Sequence, residues 1–231
     1  MNAAQRERII VSVGGSLIVP DGVDTQFLTQ FRERVVESIG EGLSFYIITG
    51  GGRLARNYRD AAAAVRGDLS REDLDWIGIH STRLNGHLMR TIFREQAYRR
   101  VMKNPTRSVE SDDPIIVGAG WKPGWSTDYC AIVAAKTLGA KRVVNLSNID
   151  YVYTEDPRKN KDAKKIEKIS WAEFRKLIPS EWDPGLSSPF DPVAAREAEE
   201  SGIEVAIVNG AHLDRLSDYL SGKPFTGTVI S

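Results

Sequence analysis

The residues of this chain best suited to chemistry stand in three glycine-rich segments. They are Val13-Gly14-Gly15-Ser16, then Thr49-Gly50-Gly51-Gly52-Arg53-Leu54-Ala55-Arg56, then Gly118 to Asp128 (GAGWKPGWSTD). Each follows a short apolar run. Glycine lets backbone come close to a ligand, and free N–H groups at a helix start can cradle phosphate oxygens. One Gly-Gly pair is usually only a turn. Three at strand ends converge, because open α/β sheets bind ligands beyond the carboxyl ends of their strands. Neither G-x-x-x-x-G-K-[ST] nor a clean G-x-G-x-x-G occurs, so any phosphate cradle is of another kind.

Side chains around these loops admit a functional and a plain structural reading. Arg56 offers a guanidinium fork to phosphate from the first turn of a helix, or is a solvated helix charge. Ser126-Thr127-Asp128 supplies hydroxyls and a carboxylate, or is an ordinary capping sequence. Asp75 is a ligand acceptor or an N-cap. Tyr153 and Asp156 offer an apolar face and an acceptor, or form a surface hairpin at Asp156-Pro157. His80, His87 and His212 lack Cys or carboxylate partners at ligand spacing, so no metal site is expected. Cys130, within CAIVAA, reads as core.

These groups need strands and helices to hold them. Arg8–Val13, Phe45–Thr49, Pro114–Val117, Arg142–Leu146 and Glu204–Val208 are Ile- and Val-rich and read as buried strands of a mostly parallel sheet. Helical spacing predicts helices over Asp24–Ile39, Leu54–Val65, Arg71–Arg100, Thr127–Leu138, Pro192–Ser201 and Leu213–Leu220. Alternation of the two predicts an α/β sandwich with helices on both faces. The polar stretch Lys103–Asp113 reads as a surface loop or a boundary between two lobes of one sheet. Lys plus Arg and Asp plus Glu number 31 each, so neither nucleic acid nor anionic membrane is expected as main partner. A single cysteine fits a reducing compartment, and no run approaches a membrane span. The first residues lack a signal-peptide apolar segment, so a cytoplasmic location is expected.

Taken in order, the motifs resemble the uridylate kinases of the amino acid kinase superfamily, in their archaeal-type branch. The resemblance rests on Gly14-Gly15-Ser16, Gly50-Gly51-Gly52 with Arg56, and Asp75-Trp76-Ile77-Gly78-Ile79 leading into Thr82-Arg83-Leu84-Asn85. It continues through Pro123-Gly124 with Ser126-Thr127-Asp128, Asn148-Ile149-Asp150 with Val152-Tyr153, Asp156-Pro157, Asp191-Pro192 and Gly227-Thr228-Val229-Ile230. The Thr-Arg-Leu-Asn helix favours uridylate kinases over acetylglutamate, aspartate or glutamate kinases.

The resemblance implies a single three-layer αβα domain over residues 1–231. Residues up to about 110 would largely form the nucleoside monophosphate side, and those from about 111 largely the ATP side. It implies phosphorylation of UMP to UDP by ATP with Mg²⁺, and a homo-oligomer, a hexamer built of dimers. Gly14, Gly15, Ser16 and Gly52 would face ATP phosphates, and Ser147, Asn148, Tyr153 and Asp156 its adenosine. Gly51, Asp75, Gly120, Trp121, Lys122, Pro123, Gly124, Trp125, Ser126 and Thr127 would hold UMP. Arg56 would act where the two phosphates meet, and Asp128 would organise the centre. Many members of the resembled family carry a lysine where this chain has Ser12, many bacterial uridylate kinases one at Asn148, and the usual motif a glycine at Tyr151; archaeal-type members also lack both lysines. Other candidate cations are Arg53, Lys122, Arg158 and Lys159. Competing readings are a relative acting on another small anion and a nucleotide sensor without catalysis.

Overall fold

Residues 7–181 and 188–231 are described by the computed structural model. The expectation about the chain start that falls on residues 1–6 lies outside them. In chain order the elements are β1 (Arg8–Val13), α1 (Gly15–Ile18), α2 (Thr25–Gly40), β2 (Ser44–Thr49), α3 (Gly52–Val65) and α4 (Arg71–Ile92). There follow β3 (Ile115–Gly118), α5 (Thr127–Leu138), β4 (Arg142–Ser147), β5 (Val152–Tyr153), β6 (Lys165–Ile166) and β7 (Lys168–Ile169). Last come α6 (Trp171–Leu177), α7 (Pro192–Ser201), β8 (Glu204–Asn209), α8 (Leu213–Leu220) and β9 (Thr228–Ile230).

The five Ile/Val-rich runs are β3, β2, β1, β4 and β8, five consecutive strands with β3 at one edge. They lie in one seven-stranded sheet ordered β3-β2-β1-β4-β8-β9-β7, in which only the β8–β9 pair is antiparallel. Because successive strand residues face opposite sides, each strand feeds two cores. Ile9, Val11, Phe31, Ile47 and Phe93 belong to one core, and Ile10, Ile48, Cys130, Phe174 and Phe190 to the other. Two cores either side of one sheet make the three layers expected. Cys130 is fully buried on α5, and burial pushes its thiol up to about 12, so it packs as an inert hydrophobe.

Local chemistry starts and stops the helices. Asp24, Ser70, Ser126 and Asp191 each accept a backbone N–H of the first turn, and Ser70 completes a capping box with Asp73. Gly139 and Gly202 close α5 and α7 at φ of 68° and 57°.

The helix expected over Arg71–Arg100 ends at Ile92. The next residues instead run beside the edge of β3, where Tyr98 N donates to Ile115 O at 2.8 Å and Met102 N to Val117 O at 2.8 Å. Pairing an otherwise open strand edge outweighs helical propensity here. Beyond Lys103–Asp113 the chain returns as β3 beside β2, so the sheet runs unbroken across that stretch. Helices α1 and α6 and strands β5, β6, β7 and β9 span only two to seven residues, too short for periodicity to reveal.

Candidate active site

The site begins where β1 and β2 end side by side, with Val13 in register with Thr49. Their two glycine loops pack backbone to backbone. Gly50 N donates to Val13 O at 2.9 Å, and Arg53 N to Val19 O at 3.0 Å. A Cβ on Gly15 would stand 2.0 Å from Gly52 N, and one on Gly50 2.5 Å from Gly15 N. Gly52 has φ +64°, and its Cβ would lie 2.1 Å from Gly15 O. These glycines therefore let the loops approach each other, in addition to any approach to a ligand. The interlock fixes the start of α3, where Arg53 N is already taken up by Val19 O.

Helix α4 ties this pair of loops to the third. Asn85 Nδ2 donates to Gly50 O at 2.8 Å and Gly51 O at 3.3 Å. Thr82 Oγ1 accepts from Gly120 N at 2.8 Å. Arg83 donates to Gly120 O at 3.3 Å and Trp121 O at 2.9 Å. Asp75 Oδ2 accepts from Gly124 N at 2.8 Å, so its carboxylate anchors the third loop. Sequence reasoning used Thr82, Arg83 and Asn85 only as a family signature and missed these bonds. The available signal was that Thr82 and Asn85 are polar residues on the core-facing stripe of a helix, where burial demands partners.

Between α3, α4 and the third loop lies a cavity of about 210 Å³. It gathers Gly51, Gly52, Arg56, Asp75, Gly120 and Trp125, together with Ser126 and Thr127 at the start of α5. Trp121, Lys122, Pro123 and Gly124 stand on the same loop outside this lining. Lys122 Nζ lies 4.4 Å over the Trp121 ring, and Trp125 stacks on Tyr129 at 4.1 Å. Arg59, which sequence reasoning did not single out, also lines the cavity. A larger hollow of about 520 Å³ lies beside Lys141 and Trp171 at the opposite, amino-terminal ends of β4 and β8. It is remote from the glycine loops.

Asp128 sits beneath the loops. Its Oδ1 accepts from Ser12 Oγ at 3.1 Å and Asn145 Nδ2 at 3.2 Å. Ser12 thus meets Asp128 with a hydroxyl. Burial, and secondarily the charge of Asp191, push the Asp128 carboxyl up to about 7. Asp191 is itself raised by burial, although Ala194 N and Ser126 bond to it. A carboxyl raised in the fold stabilises the protein below its unfolded value near 4. That contribution is lost as pH rises through about 7. Asp128→Asn, neutral throughout, is expected to gain on the parent between pH 4 and 7, by on the order of 2–4 kcal/mol at most. Paired thermal melts across that range measure it; parallel curves would contradict the shift. If the carboxylate also organises the reacting groups, the same variant turns over far more slowly at pH 8.

The remaining sequence candidates lie at the ends of β4 and in the hairpin beyond. Gly14 N donates to Leu146 O at 2.8 Å, which brings the first loop beside Ser147 and Asn148. Ser147 O accepts from Gly210 N at 2.8 Å. Asp150 is held by Asn209 and Arg215, and Thr228 Oγ1 accepts from Val152 N at 2.8 Å to seat the hairpin. The Asp156 carboxylate is held on both oxygens by Arg158, at 3.0 Å each, in an exposed turn. Tyr151 stands edge-on to Tyr153 at 6.5 Å with Lys165 4.9 Å over its ring. No described non-glycine residue has positive φ, so the backbone at Tyr151 makes no demand for glycine.

Fold and site together define an open α/β protein whose interlocked glycine loops lie beside two helix starts, without a Walker loop. The chain belongs to the amino acid kinase family, whose model matches residues 7–209. It is 34% identical over 227 residues to a uridylate kinase of Pyrococcus abyssi, covering 96% of this chain and 99% of that one. It is 33% identical to a uridylate kinase of Thermococcus sibiricus, covering 96% and 99%. Among solved structures, the uridylate kinase of Archaeoglobus fulgidus superposes with TM-score 0.80 at 26% identity over 96% of this chain and 99% of that one.

Proposed function

We propose that this protein transfers the γ-phosphoryl group of ATP to UMP, giving UDP and ADP in pyrimidine nucleotide synthesis. One observation carries the reading. Arg56, without an ion pair or hydrogen bond among the described residues, borders a cavity between the starts of α3 and α5 and beside the glycine loops. An unpaired guanidinium among helix N-termini suits the charge between donor and acceptor phosphates. The full-length similarity to proteins named uridylate kinase supports the choice of acceptor.

An acceptor phosphate is already anionic near neutral pH, so no strong general base is needed. Alignment by the loops and neutralisation by Arg56 and the α3 and α5 N–H groups supply the catalysis of an in-line transfer. Mg²⁺ carried with ATP would add charge neutralisation. A hard cation of this kind needs only one or two carboxylates beside phosphates and water, and Asp128 has the chemistry to serve. No group of three His, Cys, Asp or Glu suited to a metal occurs among the described residues.

In this reading the first 110 residues or so largely serve UMP, joined by Gly120 to Thr127. Those from about 111 otherwise largely serve ATP through Ser147, Asn148, Tyr153 and Asp156, while Gly14, Gly15, Ser16 and Gly52 face its phosphates. A cytoplasmic setting belongs to the same reading; no described helix is long and apolar enough to cross a membrane. Tyr58, Val65, Trp76 and Leu84 are exposed on α3 and α4, which supports assembly of copies into a homo-oligomer, a hexamer in this reading.

An ADP-release assay with ATP, Mg²⁺ and a panel of acceptors tests the activity. UMP should be turned over far faster than AMP, GMP, carbamate or isopentenyl phosphate. Faster turnover of another acceptor would replace the substrate, and nucleotide binding without ADP release would replace catalysis with sensing.

A further inference from the structure

From the cavity wall we infer that Arg59 is a second acceptor-phosphate ligand, which binds substrate where Arg56 serves transfer. The inference rests on the UMP kinase reading above. Arg56 and Arg59 lie three apart on α3, so they share one face, and both line the same cavity. Arg59 is half-buried, whereas Arg56 is exposed. Neither has an ion pair or hydrogen bond among the described residues. On the same helix, Arg53 differs: it bonds Asn57 at 3.1 Å and lies 3.7 Å from Asp21.

Two like charges at this spacing repel, and partly burying one without a counter-charge adds a desolvation cost. The one carboxylate lining the cavity, Asp75, is turned to Gly124 N. Among the described residues the arrangement therefore lacks an internal partner, and it matches an external one. A phosphate monoester above its second pKa, about 6, carries close to two negative charges, one for each fork. Arg59 stands about 4.5 Å farther along the helix axis than Arg56 from the glycine loops, at 1.5 Å per residue. It is thus set back from the transfer locus and suits oxygens of the acceptor phosphate that are not attacked. A contact made alike in ground and transition states changes KM and spares kcat.

The test is steady-state kinetics of Arg59→Ala, Arg59→Gln and Arg59→Lys on the full chain, beside the parent. KM for UMP should rise about tenfold or more in the alanine and glutamine variants. The kcat and the KM for ATP should stay within about twofold, with partial recovery in Arg59→Lys. Stabilisation of each protein by UMP alone, read as a melting shift, should require correspondingly more UMP in the alanine and glutamine variants. An unchanged KM and UMP midpoint would overturn the inference, as would a fall in kcat at constant KM. If the parent itself fails to turn over UMP, the underlying reading fails instead. In that event Arg59 is still tested by the melting midpoint with whichever phosphate monoester the parent binds.

Discussion

Arg56→Ala is expected to lower turnover of UMP about a hundredfold or more, equivalent to roughly 3 kcal/mol of transition-state stabilisation. Its melting temperature should match the parent's. Arg56 extends from the second turn of α3 and makes no hydrogen bond or ion pair among the described residues, so its removal breaks none of them. Removing one of two like charges at i, i+3 would if anything add a few tenths of a kcal/mol. During transfer, charge is redistributed between donor and acceptor oxygens, and a guanidinium poised there binds that state more strongly than either nucleotide. Arg56→Lys should recover only part, because an ammonium cannot present two parallel donors. The decisive comparison is kcat beside the melt. Near-parental kcat would return Arg56 to the status of a solvated helix charge.

Gly15→Ala is expected to do the opposite, striking the fold first. Its Cβ would lie 2.0 Å from Gly52 N, 2.6 Å from Gly50 C and 2.7 Å from Gly51 C, all of them backbone atoms. No rotamer change relieves such contacts, so one whole loop must shift. A loss of about 3 kcal/mol or more is expected, lowering the melting temperature by roughly 6–12 °C for a chain of this size. Any folded fraction should also turn over poorly, since the displaced loop carries the start of α3. Gly40→Ala is the matched control. A Cβ there meets nothing within 4 Å, at the last residue of α2, and should be neutral or stabilising by up to about 1 kcal/mol. If both variants melt like the parent, the loops do not interlock as described.

The two substitutions bear on different kinds of information in the chain. The Ile- and Val-rich runs, the amphipathic spacing of α2 and the caps Asp24, Ser70, Ser126 and Asp191 act over a few residues. Their elements can therefore be read directly from the order of amino acids. The same holds for the three glycine loops, which sit at strand ends by simple succession. The sequence by itself thus determined a mostly parallel α/β sandwich and the segments that carry its chemistry.

Which loops touch was decided only by the tertiary structure. Gly15 meets Gly52 because β1 and β2 pair in register. Asn85 and Thr82 reach Gly50 and Gly120 because α4 packs between loops 35 and 38 residues away in sequence. Strand neighbours and helix packing are long-range choices set by closing two cores at once, and no local pattern encodes them. The end of α4 was misread for that reason, since the open edge of β3 claimed residues whose own spacing is helical. Arg59 was overlooked because one arginine on an arginine-rich helix has no distinguishing neighbour in sequence. The raised carboxyl of Asp128 is tertiary in the same sense, arising where β1, β4 and α5 meet around it and limit its access to water.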